Sequence, residues 1–255
     1  MGYHLTYHPL SPAEFRSVFL DHLDDKSAYL RISEQFGLDE DCKSRLQGYL
    51  IIGKSLRAER PFPEGYGYAF PMVGSALRKY WYIRSGRHLP LLRDQFFDRY
   101  AIDWESLIPE SERLGICTLK LRSPAGLGAF LSPEGVRQLR LDCARDSLVR
   151  QRMGQIFPGE WLTIFWAAAD YAIEQGLGLV EAGDLYRPDR WHPTAASTIL
   201  PAEHCDPDSI GLYNRECRAA IEAWAARRFD PKRQRARRKV LDRIKLSRAD
   251  ARNLS

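Results

Sequence analysis

The same short phrase occurs twice in this chain, each time between a stretch that reads as a strand and a pattern that repeats like a helix. The first copy runs Leu10, Ser11, Pro12, Arg16, Leu20, Asp21 and the second Leu131, Ser132, Pro133, Arg137, Leu141, Asp142, with the same residue types at the same offsets. Each copy spells a helix start. A serine hydroxyl can accept a hydrogen bond from a backbone N–H in the first turn, and a proline at the first helical position has no donor to waste and a φ already set for the helix. Glu14 completes a capping box in the first copy, whereas Gly135 takes that place in the second. With Tyr3 to Tyr7 and Leu127 to Leu131 reading as short extended stretches, the expected unit is strand, tight turn, helix, used twice. The repeat speaks to architecture and carries no chemistry.

Between and after these units, periodicity gives a helix-rich order. Ser27 to Phe36 is amphipathic and stops at Gly37, and the stretch from Leu38 towards Glu59 is helical in its first part, with Leu46, Tyr49, Leu50 and Gly53 on one face. Arg60 to Gly65 breaks it. A helix is expected again over Ala69 to Ile83, another over Pro90 to Tyr100, and a strand over Leu114 to Leu121. Glu160 to Gln175 is the strongest helix, with Gly176 where a helix end favours positive φ, and Leu177 to Glu181 is a strand. Ser209 to Arg228 and Lys232 to Leu246 read as two more helices. The expectation is an α+β protein with a small sheet of short strands: a body over 1–187, a proline-rich connector over 188–208, and a helical region over 209–255 that ends in a basic tail.

The residues Met1-Gly2, then Leu10-Ser11-Pro12 with Glu14-Phe15, then Phe130 to Val136, Trp161 and the run Ala172 to Val180 resemble the YfbM-like family of bacterial proteins. The resemblance covers the N-terminal stretch and the middle of the chain, and leaves out the part after Leu200. That family has no established function, so the resemblance implies no catalytic residue and no cofactor. A tryptophan-histidine pair expected from the family on a middle helix is absent, for the corresponding region reads Arg78-Lys79-Tyr80-Trp81-Tyr82-Ile83-Arg84 without a histidine.

Composition narrows the class further. With 44% apolar residues, 255 residues can bury a sizeable core. The five cysteines are widely spaced and form no Cys-x-x-Cys pair, which argues against a disulfide framework and a zinc ribbon and points to a reduced, cytoplasmic setting. His4, His8 and Pro9 stand where a secretory leader needs an apolar run, and Trp161 to Ala169 is too short to span a bilayer, so no membrane role is expected. The net charge of +5 hides an asymmetry. Arg227 to Arg248 holds eleven basic residues against Asp230 and Asp242, which leaves the rest of the chain mildly acidic.

Four features could carry function. Gly48 to Ser55 matches the phosphate-loop spacing G-x-x-x-x-G-K-[ST], but charged residues precede it and bulky apolar ones fill it, so the match is expected to be empty. Histidines 4, 8, 22, 88, 192 and 204 show no ligand spacing, and no metal or cofactor is expected. Phe62 to Tyr82 holds seven aromatics beside several arginines, the residue types that anchor protein interfaces and also fill cores; Tyr66, Tyr68, Trp81, Arg84 and Arg87 are the candidate partner-binding residues. The tail, with Arg233, Arg235, Arg237, Arg238 and Lys239, can dock on the acidic body, on an acidic partner or on nucleic acid. The function expected is non-catalytic binding of another protein, as in an immunity protein that occludes a bacterial toxin such as a type VI secretion effector. Nucleic-acid association through the tail is the alternative, an unrecognised enzyme the third reading, and a homodimer a further possibility.

Overall fold

The computed structural model describes residues 3–18, 21, 25, 27–55, 64–87, 89, 96–102, 126–183, 185–187, 197–198 and 200–228. Within these the chain is α+β. Its strands are β1 (Tyr3–Leu10), β2 (Trp81–Gly86), β3 (Ala101–Ile102), β4 (Gly126–Leu131), β5 (Gly178–Gly183), β6 (Tyr186–Arg187) and β7 (Ser197–Thr198). The helices are α1 (Pro12–Val18), α2 (Ala28–Phe36), α3 (Glu40–Ser55), α4 (Glu64–Leu77), α5 (Pro133–Arg145), α6 (Ser147–Ile156), α7 (Trp161–Glu174) and α8 (Pro207–Arg228). The first five strands form an antiparallel sheet in the order β2-β1-β5-β4-β3, and β6 pairs with β7. Two compact units divide the chain, Met1–Gly211 and Leu212–Ser255; of the second, the described part is the remainder of α8. No described helix is long and apolar enough to cross a membrane.

Both Leu-Ser-Pro units start helices. Ser11 Oγ accepts the Glu14 N–H at 3.1 Å while Glu14 Oε2 accepts the Ser11 N–H at 2.9 Å, a complete capping box. Ser132 is extended and its Oγ accepts the Gly135 N–H at 2.9 Å, with Pro133 opening the helix. Ser11→Ala and Ser132→Ala should each lower stability by about 1 kcal/mol, measured as a shift in urea midpoint at unchanged slope.

The two units nevertheless leave the sheet towards opposite faces. Register explains why: Leu131 lies opposite Leu179, which lies opposite Pro9, so Leu131 shares a face with Pro9 and not with Leu10. Helix α1 accordingly packs with α4, and α5 packs with α7. On the α7 face, Trp161, Ile164, Phe165, Ala168, Ala169 and Ala172 are buried at helical spacing. Tyr7 stands edge-on to Phe165 at 5.2 Å, and Phe157 stacks on Phe165 at 4.4 Å. The α4 face receives His8, whose Cβ would lie 3.0 Å from a Cβ at Gly74.

Two readings change. The helix expected through Ile83 ends at Leu77, and Trp81–Gly86 is strand β2, because aromatic and β-branched residues in Tyr80 to Ile83 pair with β1 more favourably than they extend a helix. Helix α4 also begins earlier than Ala69, at Glu64, and holds Pro71 inside it. Phe96 to Tyr100, the described end of the expected Pro90 to Tyr100 helix, is a turn. The described residues of the segment over 188–208 include β7 and Leu200 to Asp208, and Cys205 forms a single bridge with Tyr80, just before β2: Tyr80 N–H donates to His204 O and Asp206 N–H to Tyr80 O. Leu114 to Leu121 and Lys232 to Leu246 lie outside the described residues.

Candidate functional site

Among the described residues, several groups able to take part in acid–base or nucleophilic chemistry are buried inside the first unit. Glu181 on β5 is 1% exposed. Its carboxyl accepts the Tyr7 hydroxyl at 2.6 Å and the Leu89 N–H at 3.1 Å, and it stands opposite an irregularity in β4 between Leu127 and Phe130. Burial first, and then the Glu181 carboxyl, push the Tyr7 phenol well above its ordinary value, so Tyr7 is a permanent donor. His8 is fully buried, stacked on Tyr80 at 5.2 Å, with Nε2 2.9 Å from Thr6 Oγ1. Its Nδ1 has no hydrogen-bond partner among the described residues, and burial lowers its pKa to about 3. A neutral, enclosed imidazole is a poor base at neutral pH. Burial likewise raises the thiols, Cys42 to about 12 with Asp39 adding to the effect, and Cys143 in the same direction; both are therefore disfavoured as thiolate nucleophiles.

The edge of the sheet at β2 holds most of the anchors expected from sequence. Trp81 is 1% exposed, its indole tilted against Tyr171 at 5.2 Å, so it belongs to the core and is not available as a surface anchor. Its burial follows from the strand: Trp81 pairs with Tyr7 and shares that residue's inward face. Arg84 is half-buried and Arg87 is exposed. Tyr66 and Tyr68 lie on the first turns of α4, and their side chains are outside the described residues, as is the tail with Arg233, Arg235, Arg237, Arg238 and Lys239. Lys79 Nζ lies 4.7 Å from the Trp81 ring and 3.3 Å from Asp206 Oδ2, which ties the segment before α8 to β2. Nearby, Arg78 reaches both Glu14 carboxylate oxygens and the Pro9 carbonyl. Burial pushes the Glu14 carboxyl up, but the Arg78 and Ser11 bonds outweigh it and hold the group below its ordinary value.

A third place was not singled out from sequence. On α5, Gly135, Val136, Leu139 and Cys143 point inward, and Arg137, Leu141 and Arg145 lie four residues apart on the opposite, exposed face. Leu141 is 46% exposed and Leu148, just past the Asp146 cap that starts α6, is 71% exposed. On one side of this row the Arg140 guanidinium lies 4.6 Å over the Trp166 ring and bonds Asp170 at 2.9 Å. On the other, Asp142 accepts the Tyr100 hydroxyl at 2.7 Å and Gln138 Nε2 at 2.7 Å, with Arg99 at 3.4 Å. Arg137 has no ion-pair partner among the described residues. Arg145 makes no salt bridge there, although its charge helps to lower the Asp142 pKa. The signal in sequence was the four-residue spacing of Arg137, Leu141 and Arg145 opposite an apolar stripe.

The phosphate-loop match at Gly48 to Ser55 lies within α3, so its backbone N–H groups are spent on the helix and cannot cradle a phosphate. Lys54→Ala should leave the melting temperature within a few degrees, and titration with ATP or GTP should show no heat in either protein. Among the described residues no group of three or more His, Cys, Asp or Glu could hold a metal ion, and the His204 ring is bonded to the Ser75 carbonyl. No family model, curated protein or solved structure matches the chain.

Proposed function

We propose that this chain is a non-catalytic protein-binding module, and specifically an immunity protein that neutralises a bacterial toxin or secretion-system effector by covering it. The observation that carries the reading is the outer face of α5 to α7. There Arg137 and Arg145 flank the exposed Leu141 on α5, Arg140 is laid over the Trp166 ring of α7, and Leu148 of α6 is exposed. Arginine and tryptophan are favoured at the centres of protein interfaces, and exposed large apolar side chains gain most from being covered. The described groups best suited to chemistry serve the interior, Glu181 holding Tyr7 and the Leu89 backbone, and His8 enclosed between Thr6 and Tyr80.

Co-expression with the product of the adjacent gene tests the reading. A stoichiometric complex, together with protection of cells from growth arrest by that product, supports it. Catalytic destruction of the toxin by substoichiometric amounts of the purified protein would overturn it.

A further inference from the structure

The exposed row on α5 has a charge pattern as well as an apolar one, and the pattern identifies a kind of partner. Resting on the protein-binding reading above, we infer that Arg137, Leu141 and Arg145, with the exposed Leu148 at the start of α6, receive an acidic amphipathic helix of the partner protein. Arg137 and Arg145 are eight residues apart on one face, a separation of about 12 Å along the axis, with Leu141 midway between them. A helix with carboxylates seven or eight residues apart and an apolar side chain between them meets all three at once. The flanks bound the row. Of the acids near the row, Asp142 is engaged by Tyr100, Gln138 and Arg99, and Asp170 by Arg140, while Glu134, exposed three residues before Arg137, makes no salt bridge with it, so the row keeps a surplus of positive charge. Past Arg145, Asp146 is fixed as the cap of α6 through the Leu148 N–H at 2.8 Å. A basic or nucleic-acid partner fits less well: the first is repelled by the arginines, and the second gains nothing from covering Leu141 and Leu148.

The test uses the full-length chain and a labelled alanine-based helical peptide with paired glutamates at eight-residue spacing and leucine between them, beside its lysine-for-glutamate counterpart. Anisotropy titrations should show salt-sensitive binding of the acidic peptide alone. Arg137→Glu with Arg145→Glu should weaken it by about tenfold or more, and Leu141→Ser with Leu148→Ser by a similar factor at unchanged salt slope. Unchanged affinity in both double variants, equal binding of the lysine peptide, or preferential binding of duplex DNA that the charge-reversed variant loses would overturn the inference. Thermal melts of the variants, expected within a few degrees of the parent, confirm that the fold is intact. A stoichiometric complex with the neighbouring gene's product that survives both double variants would leave the immunity reading standing and remove this surface. Peptide binding as expected, without any such complex, would do the reverse.

Discussion

Gly135→Ala is expected to be among the most damaging single changes in the protein, costing about 3 kcal/mol or more or abolishing soluble expression. A Cβ at Gly135 would collide with the Tyr100 carbonyl oxygen and lie 2.9 Å from the Tyr100 carbonyl carbon, both backbone atoms that cannot rotate away. Tyr100 is itself anchored, with its N–H on Phe97 O, its hydroxyl on Asp142, and Ala101 next to it paired with Leu131. Relief would therefore pull β3 from β4 or lift α5 from its cap. Gly154→Ala provides the control: Gly154 is helical, exposed and has nothing within 4 Å of a Cβ, so alanine there should stabilise by up to about 1 kcal/mol. Equal urea midpoints for the two variants would contradict this account.

The same contact explains how the two Leu-Ser-Pro units differ. Glu14 can close the first capping box and still reach Arg78, since its side chain extends from the start of α1 towards the end of α4. At the equivalent place in the second unit the chain passes too close for any side chain, and Ser132 caps α5 alone. Capping chemistry is local, so both serines and the end of α7 at Gly176, with φ 67°, are legible from neighbouring residues. The face to which each helix turns depends on pairing with β5, whose partners are far away in sequence, and is not legible in that way. Tyr80 to Ile83 fails for the same reason. Its aromatic pattern suits a buried strand and a helix face equally, and only pairing with β1 decides between them. The α5 row was overlooked because pattern reading follows the apolar stripe inward; that Leu141 and Leu148 remain uncovered depends on what packs nearby.

Acid should destabilise the protein from a pH at which ordinary carboxylates are still ionised, and His8 should be the cause. The folded pKa of His8 is lowered to about 3 by burial, against about 6.5 in an unfolded chain. Between these values the unfolded state binds the proton and the folded state does not, so stability rises with pH through this window and falls as the medium is acidified. By pH 4.5 the loss should approach about 2.5 kcal/mol, before the carboxylates held low by hydrogen bonds, such as Asp25 at about 2 with its Ser27 partners, begin to lose theirs. His8→Phe isolates the effect, because phenylalanine keeps a ring against Tyr80 and Gly74 and cannot titrate. The substitution gives up the Nε2 contact with Thr6 but also removes the unpartnered Nδ1, so the two proteins should be within about 1.5 kcal/mol of each other at pH 7.5. The difference between their urea-unfolding free energies, followed from pH 7.5 to 4.5, cancels the titration of the other histidines. It should shift by about 2.5 kcal/mol in favour of the variant. Parallel pH profiles for the two proteins would mean that His8 takes up its proton without leaving its place beneath α4, and that the interior there admits charge far more readily than its burial allows.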